Sequence, residues 1–141
     1  MKISLARTRA ARAGCFAVRR AVFIDEQGIP EAEEWDAEDD RCLHFLAEDD
    51  HGPVGCARLI ARGTEAKIGR VAVLDRARGT GLGRAIMQRT MDHARHAGFR
   101  TAMLEAQLSA IGFYENLGFV AEGPEYDDGS GILHRVMRRP L

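Results

Sequence analysis

The stretch VAVLDRARGTGLGRAIM, Val71–Met87, decides the fold. An apolar run of strand character ends in glycines at 79, 81 and 83. A helical period then carries Leu82, Ile86, Met87, Thr90, Met91 and Ala94 on one side. His93, Arg95 and His96 followed by Gly98 mark the end of a helix over Gly81–Ala97, a basic last turn with a glycine stop. The glycines remove Cβ atoms that would block close approach, and the first amides of the helix are donors without intrahelical partners. A helix N-terminus carries roughly half a positive charge, so a pyrophosphate can bind there without a metal. Arg76, Arg78 and Arg84 lie close by in sequence. The unit reads as an anion cradle, with a purely structural strand-to-helix turn as the competing reading.

Two familiar phosphate loops do not fit. A P-loop needs GxxxxGK and then Ser or Thr, but Gly83 is followed by Arg84 and Ala85, leaving no lysine for the outer phosphates and no hydroxyl for magnesium. A Rossmann turn follows the first strand of a parallel unit, whereas GTGLG lies mid-chain after apparently antiparallel strands.

Outward from this unit, the pattern predicts a strand near KISLA and a helix from about Thr8 to Asp25, with Ala11, Cys15, Val18 and Val22 at helical spacing. Strands follow at Leu43–Ala47, Val54–Ile60 and Ala66–Val73, as an antiparallel meander. After the long helix come a strand at Thr101–Glu105, a helix at Leu108–Leu117, a strand at Phe119–Glu122 and a last strand near Ile132–Arg138. No repeat or low-complexity linker interrupts the chain, and 141 residues suit one domain, residues 1–141.

Composition, 45% hydrophobic and 29% charged, is that of a globular protein, and a net charge of −1 gives no reason to expect nucleic acid. Cys15, Cys42 and Cys56 are odd in number and set in apolar surroundings, which argues against a disulfide framework and for a reducing, cytoplasmic setting. No run of about 18 apolar residues exists to span a bilayer, and MKISLARTRA lacks the apolar core of a secretory signal. Charge is unevenly distributed. Residues 1–24 hold six bases and no acid, and residues 25–40 hold nine acids and no base.

The acidic stretch EAEEWDAEDD, Glu31–Asp40, invites a metal reading that its spacing removes. Counted from Asp36, a calcium loop would need glycine at the sixth position and glutamate at the twelfth, where Arg41 and Ala47 stand. No metal is expected. Glu31, Glu33, Glu38 and Asp40 read as a solvated rim, and the remaining acids as a source of negative potential that attracts a cationic amine. Trp35 either stacks on that amine or anchors the loop.

Arg78, Gly81 and Gly83 match the donor-site signature Arg or Gln, x, x, Gly, x, Gly or Ala of the GNAT acetyltransferase superfamily, which this chain resembles. QLSAIGFYENLGF, Gln107–Phe119, is similar to a second segment of that family, with Gln107 in place of the usual asparagine. VRRAVFIDEQGIPEAEEWDAEDD and the C-terminal GILHRVM resemble its ElaA-like branch through Val18, Arg19, Val22, Phe23, Glu26, Gln27, Pro30, Glu34, Asp36, Asp39 and His134. The resemblance implies an α/β (α+β) single-domain fold, a mixed sheet of about six to seven strands flanked by about four helices, with strands splayed at the acetyl-CoA site.

It further implies acetyl-CoA as acyl donor. The pyrophosphate would lie on the amides of Arg78, Gly79, Thr80, Gly81, Leu82, Gly83 and Arg84, and the pantetheine arm beside Val71, Ala72 and Val73. Gln107 and Tyr114 would line the thioester, with Tyr114 donating a proton to the departing thiolate. The acceptor is an amine of a small molecule or a peptide, which must lose a proton before it attacks. Glu26 and His134 are the leading candidate bases, and Glu26, Trp35, His44 and Glu105 the candidate acceptor contacts. A homodimer is compatible with these features. The alternative is a non-catalytic acyl-CoA sensor or partner-binding module of the same fold.

Overall fold

The computed structural model describes residues 1–141. Seven strands form one sheet in the order β1-β2-β3-β4-β5-β7-β6. They span Lys2–Leu5 (β1), Leu43–Asp49 (β2), Gly52–Arg62 (β3), Glu65–Val73 (β4), Thr101–Gln107 (β5), Val120–Asp127 (β6) and Leu133–Pro140 (β7). Every neighbouring pair is antiparallel except β4 and β5, which run parallel. A parallel pair needs a crossover, and α3 (Leu82–His96) supplies it. The other helices are α1 (Arg9–Arg19), the single turn α2 (Glu31–Glu34) and α4 (Ile111–Glu115).

Strand alternation sorts the core to the two faces of the sheet. Leu46, Cys56 and Ala72 meet Cys15 and Val18 of α1, whereas Phe45, Ala47, Val54 and Leu59 meet Leu82, Ile86 and Ala94 of α3. A third cluster joins Met87 and Met91 of α3 to Ile68, Leu104, Phe119 and Met137. Thr8 caps α1, its hydroxyl accepting from the Ala11 amide at 3.0 Å.

Helix does run to about Asp25, as the spacing predicts, but its last part widens to a π-helical segment at Arg20–Glu26. Such segments are rare and concentrate at functional sites. The expected helix at Leu108–Leu117 is a 3₁₀ turn, Leu108–Ala110, followed by the short α4.

One irregularity shapes the molecule. In β4, Ala66 and Ile68 pack with the clusters on the α3 side, yet Ala72, an even number of residues further on, packs on the α1 side. Opposite β3 the register shifts between Cys56 and Arg58, and Arg70 takes φ +48° without being glycine. This is a β-bulge, which turns the strand and adds twist. A left-handed non-glycine residue costs about 1–3 kcal/mol, which the surrounding packing must offset. The consequence is local: β4 pairs with β5 only through Glu65, Ala66 and Lys67, and the two strands then part.

Candidate active site

Where β4 and β5 diverge, a cleft of about 560 Å³ opens through the middle of the molecule. Its walls include Val71, Ala72 and Val73 of β4, Leu104, Glu105 and Gln107 of β5, and Glu26 and Gln27 at the end of the π-helical segment. Tyr114 of α4, His134 of β7 and Arg78 also line it.

The cradle continues from Arg78. Gly79 and Gly81 adopt φ +75° and +86°, a region that favours glycine, and Gly81 serves as N-cap of α3. No side chain caps α3 and its first turn carries no acid, so the amides of Leu82, Gly83 and Arg84 keep their demand for an external anion. Gly83 has a different task. A Cβ there would lie 3.3 Å from the Phe113 ring, so this glycine lets α3 pack against α4. The exposed Thr80 donates its hydroxyl to Ala77 O at 2.6 Å.

Tyr114 is packed edge-on between Phe113 and Phe119. Burial alone pushes its phenol up to about 12, with no hydrogen bond offsetting it. The ring is therefore fixed while the hydroxyl keeps its proton and its donor capacity.

Two pairs tie the first half of the chain to the second across this cleft. Glu26 accepts from both terminal nitrogens of Arg78, at 2.6 and 2.8 Å, while Arg78 Nε donates to Val73 O. The hydrogen bonds from Arg78 hold the Glu26 carboxyl below its ordinary range, which weakens it as a base. Gln27 and Gln107 exchange amide hydrogen bonds, at 2.9 and 3.4 Å. Glutamine reaches one methylene further than the family's asparagine at 107, and that reach closes the pair.

On the other side of the cleft Glu105 accepts from Lys67 Nζ at 2.5 Å and from the Tyr126 hydroxyl. Burial pushes its carboxyl up, but these two hydrogen bonds outweigh it and the carboxyl lies below its ordinary value. His134 is buried but borders the cleft. Its Nδ1 lies 2.7 Å from Ile132 O, and since a carbonyl can only accept, Nδ1 carries the hydrogen. In the neutral ring Nε2 then holds the lone pair, 3.5 Å from Asp128 Oδ2.

The structure corrects the reading of two acceptor contacts and of the acidic loop. His44 is buried, hydrogen-bonded through Nε2 to Asp39 O at 2.9 Å, and does not line the cleft; burial lowers its pKa. Trp35 also lies outside the cleft, against Phe16 and beneath the guanidinium groups of Arg19 and Arg20, where it anchors the loop. The acids expected to attract an amine are instead neutralised within the chain. Arg19 donates to Glu34 at 2.8 Å and to Asp39 at 2.7 Å; Arg58 holds Asp36 and Asp39 at 2.8 and 2.9 Å; Arg70 approaches Glu34 and Asp36. Asp39, Cys42 and His44 bring ligand atoms within 4.8 Å of one another, but two guanidinium groups already occupy the Asp39 carboxylate.

Lys67, Arg70, Asp128 and Ser130 line the cleft and went unread in the sequence. A signal existed for two of them: Lys67 and Arg70 interrupt an otherwise buried strand, AKIGRVAV. Three residues apart, they would share a face only if the strand were irregular.

A mixed sheet split beside a glycine-rich helix start, with a tyrosine in the split, defines an acyltransferase of the GNAT type. The profile of the acetyltransferase (GNAT) family matches residues 10–119, and this chain belongs to that family. It is 32% identical over 140 residues to the uncharacterized N-acetyltransferase YjcF of Bacillus subtilis, covering 99% of both chains. Among solved structures it is similar to an acyl-CoA N-acyltransferase from Pseudomonas aeruginosa, at 28% identity and TM-score 0.87, and to Escherichia coli ElaA, at 25% identity and TM-score 0.87. Each comparison covers 99% of both chains. No helix of the structure is long and apolar enough to cross a membrane.

Proposed function

We propose that this acetyltransferase moves an acetyl group from acetyl-CoA to a primary amine by direct attack on the thioester. The observation that carries the reading is the Tyr114 phenol, proton-bearing and without a hydrogen-bond partner, in the wall of the cleft between β4 and β5. The donor pyrophosphate lies on the amides that begin α3, and the pantetheine arm follows Val71–Val73, edges that β5 leaves unpaired. His134 is the base. Glu26 and Glu105 are both engaged by cations and held low, whereas Nε2 of His134 has a free lone pair with Asp128 beside it to stabilise the imidazolium. The ammonium proton passes to Nε2, the neutral nitrogen attacks the carbonyl carbon, the C–S bond breaks, the thiolate takes the Tyr114 proton, and the second proton, shed by the nitrogen as the amide forms, passes through water to the Tyr114 phenolate. Solvent exchange returns His134 to its starting state.

The test is CoA release from acetyl-CoA with polyamines, amino sugars, aminoglycosides, amino acids and peptides. Turnover above the hydrolytic background with one class of amine, lost in His134→Gln, is the expected result. Tight CoA binding without turnover for any amine would replace this reading with an acyl-CoA sensor.

A further inference from the structure

We infer that the acceptor is a primary amine that also bears a carboxylate, and that Arg70 binds the carboxylate. The inference rests on the acyl-transfer reading above and names its substrate class. The bulge in β4 turns Arg70 into the cleft, where its side chain retains 25% exposure. A guanidinium has five N–H donors. Nη2 spends its pair on Glu34 O at 3.0 Å and Asp36 Oδ2 at 3.4 Å. Nε lies 3.1 Å from Glu34 Oε2 but off the hydrogen-bonding direction, so it is buried without a partner, and Nη1 makes no hydrogen bond within the chain.

Every other cation of the cleft has a closer carboxylate: Lys67 has Glu105 at 2.5 Å, Arg78 has Glu26 at 2.6 Å, and Arg58 has Asp36 at 2.8 Å. Glu34 and Asp36 give their short contacts to Arg19 and Arg58, which leaves Arg70 the weakest share of their charge. Burial, and then repulsion from Arg58, lowers the pKa of Arg70 against smaller opposing effects of Glu34 and Asp36. An added anion relieves that repulsion. Asp36, 3.4 Å from Nη2, admits a monoanion more readily than a phosphate dianion. The amine end of the same acceptor faces His134 and Asp128, in the same cleft.

Free amino acids and peptide C-termini carry the same chemistry, and the experiment separates them. kcat/KM is measured for free amino acids against their amides, and for a lysine-terminated peptide with a free against an amidated C-terminus. We expect at least a 10-fold preference for the carboxylate in one of the two arms. The lower amine pKa of an amide works against this outcome, so it is a stringent one. Arg70→Gln should erase the preference through the acceptor KM at unchanged KM for acetyl-CoA, and Arg70→Lys should restore part of it. No preference in the wild type, or one that survives in Arg70→Gln, overturns the inference.

If the variants do not fold, wild-type inhibition by des-amino carboxylates against their amides decides: competition with the acceptor by carboxylates alone supports the site, and equal inhibition by amides removes it. If no amine is acetylated, the acyl-transfer reading has failed separately. Calorimetric binding of the same carboxylates and amides to the wild type then tests Arg70 by itself, and equal binding overturns the site.

Discussion

Tyr114 shows how packing prepares one atom for chemistry. Burial between two aromatic neighbours raises the phenol to about 12, so at neutral pH it stays protonated. An acid must keep its proton until the leaving group needs it, and a thiolate, whose conjugate acid titrates near 8.5, is a weaker base than such a phenolate. Full transfer to a free thiolate is therefore uphill, so in the proposed mechanism Tyr114 acts by donating a hydrogen bond to sulfur as charge builds there, and the proton follows as the phenolate is resupplied. Tyr114→Phe keeps the packing and removes the proton; we expect kcat to fall about 100-fold with little change in KM for acetyl-CoA. In the wild type, kcat should show no alkaline loss from this group through pH 10, because loss requires pH to rise through a pKa of about 12. A Phe variant with full turnover across pH would remove Tyr114 from the mechanism.

Among the elements, α3 and β4 build the site between them. The N-terminus of α3 can serve an anion because its glycine N-cap offers no competing side chain. Gly81→Glu puts a carboxylate at the proposed pyrophosphate site and an L side chain at φ +86°, costing about 1–2 kcal/mol of backbone strain. A Cβ at Gly81 meets no other atom within 4 Å, so the fold should persist while CoA affinity drops at least 10-fold by calorimetry. Unchanged affinity would mean that the donor does not use this helix end. The helix and its glycines were legible in sequence because period, cap and stop are all local. The bulge in β4 was only hinted at, by Gly69 inside the strand and by the spacing of Lys67 and Arg70, and its left-handed residue is Arg70 and not the glycine.

Across the whole molecule, the separation of early bases from later acids resolves into an internal network. Arg19 of α1, Arg58 of β3 and Arg70 of β4 converge on Glu34, Asp36 and Asp39. Removing one partner of a buried ion pair leaves a charge without compensation, so Arg19→Ala should destabilise by about 3 kcal/mol or more in urea unfolding. A loss below about 1 kcal/mol would show that Arg58 and Arg70 take over its acids. The hydrogen bond from Arg58 holds Asp36 down at about 2, against an ordinary value of 3.8. A depressed carboxyl contributes stability that is complete above its unfolded pKa and is lost as pH falls through the folded one. Stability should decline from about pH 4 to about pH 2, and Asp36→Asn should flatten that decline in denaturation midpoints measured across pH.

The sequence by itself determined the order of the seven strands and of α1 and α3, the glycine-rich start of α3, the aromatic pair at 113 and 114 and the family, because each rests on patterns of neighbouring residues. The spacing within Glu31–Asp40 is also not that of a calcium loop. Only the tertiary structure decided what that acidic stretch does. Its partners lie 11 to 36 residues away, as in Arg20 with Glu31 and Arg70 with Glu34, and no local pattern reveals which arginine meets which acid. The same holds for Trp35 and His44, whose side of the sheet depends on how α1 packs. Coulomb attraction between distant residues acts once hydrophobic packing has brought them together, so the pairing belongs to the fold and not to the string.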